Sequence, residues 1–152
     1  MASLNKIRRL DAQVSRHQLW APKSYHKMPL WRLREIYNGI GPGTWSDWCR
    51  AKITELLKAF SAAALVHDYE YATSPRTYLA FTIANVRFGY NCCRLARERE
   101  AERLAQLHEW AMDIDQRKEA KAAARRMIRA GILLALLCQL GGWRGYKNEP
   151  II

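Results

Sequence analysis

The sequence predicts an all-α protein with a long pair of helices at its centre. Three observations carry this. Apolar residues recur at spacings of three and four along most of the 152 residues, no segment keeps strand alternation, and glycine and proline gather at a few points that mark helix ends. The length suits one compact unit with extensions. We divide it into a basic N-terminal arm (1–36), a helical core (37–95) and a helical C-terminal extension packing on that core (96–152).

Leu4, Ile7, Leu10 and Val14 share one helical face, with Lys6, Arg8, Arg9 and Arg16 on the others, so the chain opens on a basic amphipathic helix. Residues 18–28 contain Pro22 and read as a linker. Pro29 opens a short second helix through Glu35. Up to residue 36 there are eight Lys and Arg against two acids, enough for the arm to act as an independent binding element. Three glycines and a proline in Gly39-Ile40-Gly41-Pro42-Gly43 then impose an irregular loop. Ser46 caps a further helix, and Leu56, Leu57, Phe60, Ala64 and Val66 lead into His67. Ser74-Pro75 predicts a restart, with serine as N-cap and proline at the first helical position. Tyr78, Phe81, Ile83, Val86, Phe88 and Leu95 continue the pattern into a charged stretch, Arg97 to Arg103. A break falls near Asp113 to Asp115, and a last helix runs from about Gln116 to Leu140, closed by Gly141-Gly142.

Lys and Arg number 25 against 14 Asp and Glu, a net charge of +11 that attracts polyanions. Six Trp and seven Tyr suit a lipid–water boundary as well as they suit a core. Basic residues interleaved with aromatics also suit nucleic acid, but no recognition motif accompanies them. Cys49, Cys92, Cys93 and Cys138 lack metal-ligand spacing, and the adjacent pair diverges on a helix, which argues against a disulfide framework. The N-terminus alternates charged and apolar residues without a signal-peptide core. The longest apolar run, Ile132 to Leu140, is interrupted by Gln139 and falls short of the roughly 20 residues that span a bilayer. The expectation is a chain made in the cytoplasm without an export signal.

The chemistry concentrates in His67-Asp68-Tyr69-Glu70-Tyr71. On a helix, His67 and Tyr71 share a face while Asp68 turns about 100° away. A histidine can thus address a substrate while its neighbouring carboxylate addresses a metal held by a separate loop. Backbone carbonyls of an irregular glycine loop, with one carboxylate, make a hard oxygen site of the kind calcium prefers.

These segments resemble phospholipase A2. Gly39-Ile40-Gly41-Pro42-Gly43 resembles its calcium loop in the form of parvoviral capsid domains, and Asn38-Gly39 with Gly41-Pro42 resembles the loop of small bacterial and phage members. Phe60 to Tyr71 is similar to the active-site helix, Arg76 to Phe88 to its antiparallel partner, and Gly141-Gly142-Trp143 with Tyr146 to the ending of phage-type members. The resemblance implies a calcium-dependent hydrolase of the sn-2 ester of membrane phospholipids, phage or virus encoded. It implies carbonyls of Gly39, Gly41 and Gly43 with the Asp68 carboxylate as Ca2+ ligands, His67 as general base, and Tyr71 in the hydrogen-bond network behind it. The sequence departs from the family in two respects. Ile40 and Ala64 stand where many relatives have a disulfide, so an apolar contact would replace the bond. Asn85 stands where the family has the aspartate that orients the histidine; it can accept the imidazole N–H but lacks the charge that stabilises an imidazolium. The alternative expectation is therefore a catalytically weakened scaffold serving in a virus particle or as an adaptor. Expected partners are a phospholipid surface and, through the basic arm, acidic or virion proteins. The chain is accordingly expected at a membrane surface or in a virion.

Overall fold

A computed structural model describes residues 2–38, 46, 48, 57–108 and 114–148. Every regular element among them is helical. Helix α1 (Leu4–Arg16) starts at Ser3, whose Oγ accepts the Lys6 N–H at 3.2 Å, and buries Ile7, Leu10 and Val14. The chain reverses at Gln18, in the left-handed region at φ 46°, and Leu19 donates back to the Val14 carbonyl. The predicted linker is not merely a linker. Tyr25, in a 3-10 turn Tyr25–Lys27, is buried, donates to Asp11 Oδ1 at 3.0 Å and meets the Tyr69 ring edge-on.

Helix α2 (Leu30–Ile36) follows Pro29 as expected and buries Leu33 and Ile36. The arm is thus not an independent element. Its apolar side belongs to the same core as the central helices, because an amphipathic stripe of this size is costly to leave in water, and only its basic face remains free to bind.

A 3-10 turn Lys58–Phe60 leads into α3 (Ser61–Thr73), which is buried almost all round: Ala62, Ala63, Ala64, Leu65 and Val66 are each at most 2 % exposed. Its alanines let α1, α2 and the next helix pack close to its backbone. Here the restart prediction fails. Ser74 ends α3, its N–H donating to the Glu70 carbonyl, and α4 (Tyr78–His108) begins four residues later with Thr77 Oγ1 accepting the Ala80 N–H. Proline fits a turn as readily as a first helical turn, and the Pro75 carbonyl is used in the turn, where it accepts Tyr146 Oη–H at 2.6 Å.

Helix α5 (Ile114–Gly141) runs antiparallel along α4 and agrees with the predicted last helix. The two approach most closely where small residues meet. A Cβ on Gly131 would stand 2.5 Å from Cys92 Cβ, and one on Gly89 would stand 3.0 Å from Ala135 Cβ. The extension therefore packs on the core, with Met127, Leu134 and Cys138 against it. Gly141-Gly142 does not end the helical structure, because a further helix, α6 (Trp143–Asn148), starts at once. The reason is packing. A Cβ on Gly142 would stand 2.6 Å from the Cys138 carbonyl oxygen and 3.2 Å from Tyr71 Oη, so glycine lets the chain turn tightly over Tyr71 and bury Tyr146. No described helix is long and apolar enough to cross a membrane.

Candidate active site

One helical turn of α3 places His67 and Tyr71 with ring centroids 4.1 Å apart, and Phe88 of α4 closes on His67 at 4.7 Å. His67 is 8 % exposed. From α4, Asn85, 2 % exposed, presents Oδ1 to both: it lies 2.9 Å from His67 Nε2 and accepts Tyr71 Oη–H at 2.9 Å. The amide oxygen facing Nε2 can accept from that nitrogen, and this leaves Nδ1 on the side of Asp68. Burial pushes the Tyr71 phenol well above its ordinary range, so it remains a donor.

Asp68 lies between His67 and the backbone of Asn38. Its Oδ1 lies 3.9 Å from His67 Nδ1, and its Oδ2 accepts the backbone N–H of Asn38 at 2.9 Å. That bond fastens Asn38, the residue before the glycine-rich segment, to α3. Gly39, Gly41, Gly43 and Ile40 lie outside the described residues; Ala64, the expected partner of Ile40, is buried. Among the described residues no three His, Cys, Asp or Glu side chains converge as a metal site. The Asp68 carboxylate, beside the backbone of Asn38, is an oxygen donor that suits a hard cation such as calcium and not a thiophilic one. Bound there, calcium would supply positive charge to an oxyanion.

Asn85 is held in turn. Its Nδ2 donates to Gln139 Oε1 of α5 at 2.9 Å, and Gln139 Nε2 donates to Tyr78 Oη at 3.1 Å and Thr82 Oγ1 at 3.2 Å. Sequence reasoning missed Gln139, although a signal was available: it is the one polar residue in the apolar run Ile132 to Leu140. Two further supports were missed. Arg76 donates to the Tyr71 carbonyl and lies over the Tyr146 ring at 4.9 Å. Glu70, on the buried side of α3, pairs with Arg87, whose guanidinium also lies over Trp20 at 4.7 Å. Burial raises the Glu70 carboxyl above its usual value, opposed by the Arg87 charge. Cys92, Cys93 and Cys138 are free thiols, and burial pushes Cys138 up to about 11.

The chain matches no family model, no curated protein and no solved structure. The geometry on its own is that of a buried imidazole with Nε2 on an amide oxygen and Nδ1 on the side of a carboxylate.

Proposed function

We propose that the chain is a calcium-dependent phospholipase A2-like hydrolase acting on the sn-2 ester of membrane phospholipids, of the phage and viral type. The observation that carries this reading is the clamped imidazole: Asn85 Oδ1 on Nε2 fixes the ring with Nδ1 toward Asp68. His67 Nδ1 takes a proton from a water as that water attacks the ester carbonyl, and returns it to the leaving alkoxide. Asn85 and Tyr71 hold the ring and the Nε2 proton throughout. Asp68 with the carbonyls of Gly39, Gly41 and Gly43 would hold calcium, which stabilises the oxyanion when bound.

The surface fits a lipid substrate. Leu79, Ile83, Val86 and Tyr90 form one exposed stripe on α4, and Ile132, Leu133, Leu136, Leu137 and Leu140 another on α5. Gln139 bonds Tyr78 and Thr82 while Gly131 abuts Cys92, so both stripes occupy the same end of the hairpin. Arg125, Arg126 and Arg129, exposed toward the other end, match anionic headgroups beside a shallowly inserted apolar face.

The test is turnover of a fluorescent phospholipid during calcium titration. Turnover should rise with calcium and fall by roughly 10²- to 10⁴-fold in His67→Gln, the usual contribution of a general base. The neutral Asn85 favours a second reading, a scaffold with a weakened site. Calcium binding to Asp68 without turnover would select it over the first.

A further inference from the structure

We propose that Gln139 sets the polarity of Asn85 and through it selects which nitrogen of His67 bears the proton. An aspartate at position 85 would offer oxygen from either end of its carboxylate. An asparagine offers oxygen from one end and N–H from the other in nearly the same shape, so the backbone does not decide which end faces the ring. Turned round, Nδ2 would donate to His67 Nε2. The proton would then sit on Nδ1, the nitrogen 3.9 Å from Asp68, and no lone pair would remain there to accept a proton from water.

The contacts select against that arrangement from two sides. Tyr71 donates to Oδ1 from α3, and Gln139 Oε1 receives Nδ2 from α5. Gln139 has the same two-ended ambiguity; in the structure its Nε2 lies on the Tyr78 and Thr82 hydroxyls and its Oε1 on Asn85 Nδ2. The chain Thr82 and Tyr78, Gln139, Asn85, His67 thus runs in one direction. Gln139 touches neither substrate nor His67; it is a positioning residue, and it belongs to a helix outside the 37–95 core. Its effect on turnover rests on the hydrolase reading above, whereas its effect on the ring proton does not.

The experiment is 15N NMR of histidine-labelled protein at about pH 8.5, where the neutral ring is observed. The wild type should show His67 protonated on Nε2. Gln139→Met keeps the length but removes both hydrogen-bonding functions, and should shift His67 toward the Nδ1-protonated form. Gln139→Glu, which can only accept, should restore Nε2 protonation. In an Asn85→Asp background, Gln139→Met should leave Nε2 protonated, because a carboxylate has no end to choose. A purely structural role for Gln139 predicts the same ring proton in all four proteins, or a shift that persists in the Asn85→Asp background, and either result overturns the proposal. Should Gln139→Met not fold, the wild type decides alone: the Asn85 side-chain amide protons should show Overhauser contacts to Gln139, and contacts to the His67 ring instead would overturn it. If turnover exists, Gln139→Met should lower kcat by roughly tenfold or more at little change in KM. Absent turnover with the ring proton still governed by Gln139 would count against the hydrolase and leave this inference standing.

Discussion

At the scale of single residues, Asn85 decides how well the site can work. A neutral amide holds the imidazole but gives no charge to an imidazolium forming as water attacks. Asn85→Asp should therefore raise kcat for phospholipid, by tenfold or more given the roughly 10⁴-fold penalty known for the reverse change in a serine protease triad. An unchanged kcat would show that ring orientation alone sets the rate. Glu70 makes a prediction of opposite character. Its folded-state value lies above the ordinary 4.5, so the folded chain holds a proton that the unfolded chain releases. Stability is then greatest below that ordinary value and declines as pH rises through the raised one. Glu70→Gln abolishes the decline, at the cost of leaving Arg87 without its ion pair. Melting temperatures of both proteins from about pH 4 upward should show the variant gaining on the wild type as pH rises; a constant gap would refute the assignment. The residues of the site were legible in the sequence to differing degrees. His67, Asp68 and Tyr71 lie within one and a half turns of a helix, so spacing alone brings them together. Asn85 came from the resemblance, and Gln139 was hidden because it meets Asn85 across 54 positions.

At the scale of helices, periodicity located α1, α2, α4 and α5 to within a few residues, because each has a face with a consistent partner. It misplaced the start of α4, where Ser74-Pro75 and Thr77 are rival start signals and only the contact between Tyr146 and the Pro75 carbonyl separates them. It missed α6 altogether, since a glycine pair reads as a stop unless Tyr71 is known to lie beneath it. The α4–α5 hairpin depends on the closeness of Gly131 and Cys92. Gly131→Ala should destabilise the protein by about 1–3 kcal/mol through overpacking, measured by chemical denaturation. Cys92→Gly in addition should recover part of that loss, although glycine within a helix itself costs about 1 kcal/mol. No loss in the single variant would mean that the helices are further apart than the structure has them.

At the scale of the whole molecule, the N-terminal segment is both core and surface. Ile7, Leu10, Val14 and Tyr25 bury against the central helices, and Asn91 of α4 bonds both the N–H and the carbonyl of Trp20. The sequence showed its basic charge but not this docking, which depends on residues as far as 71 positions away. The free basic face and the arginines of α5 predict binding to vesicles containing phosphatidylglycerol in preference to phosphatidylcholine alone, weakening as salt is added. Leu133→Asp with Leu136→Asp should abolish sedimentation with vesicles while leaving the melting temperature near that of the wild type. Retained sedimentation would remove the hairpin face from the lipid contact.

The contact between Gln139 and Asn85 also has a consequence in time. During synthesis His67, Asp68 and the glycine-rich segment emerge well before the residues that orient the ring and close over Tyr71. Until Gln139 to Tyr146 have left the ribosome, the nascent protein holds the groups of the proposed site without the parts that aim them. A chain shortened by residues 135–152 should accordingly be slack at His67 and inert toward lipid. If the proposed activity holds, lipid would meet a competent site only once α5 and α6 are in place.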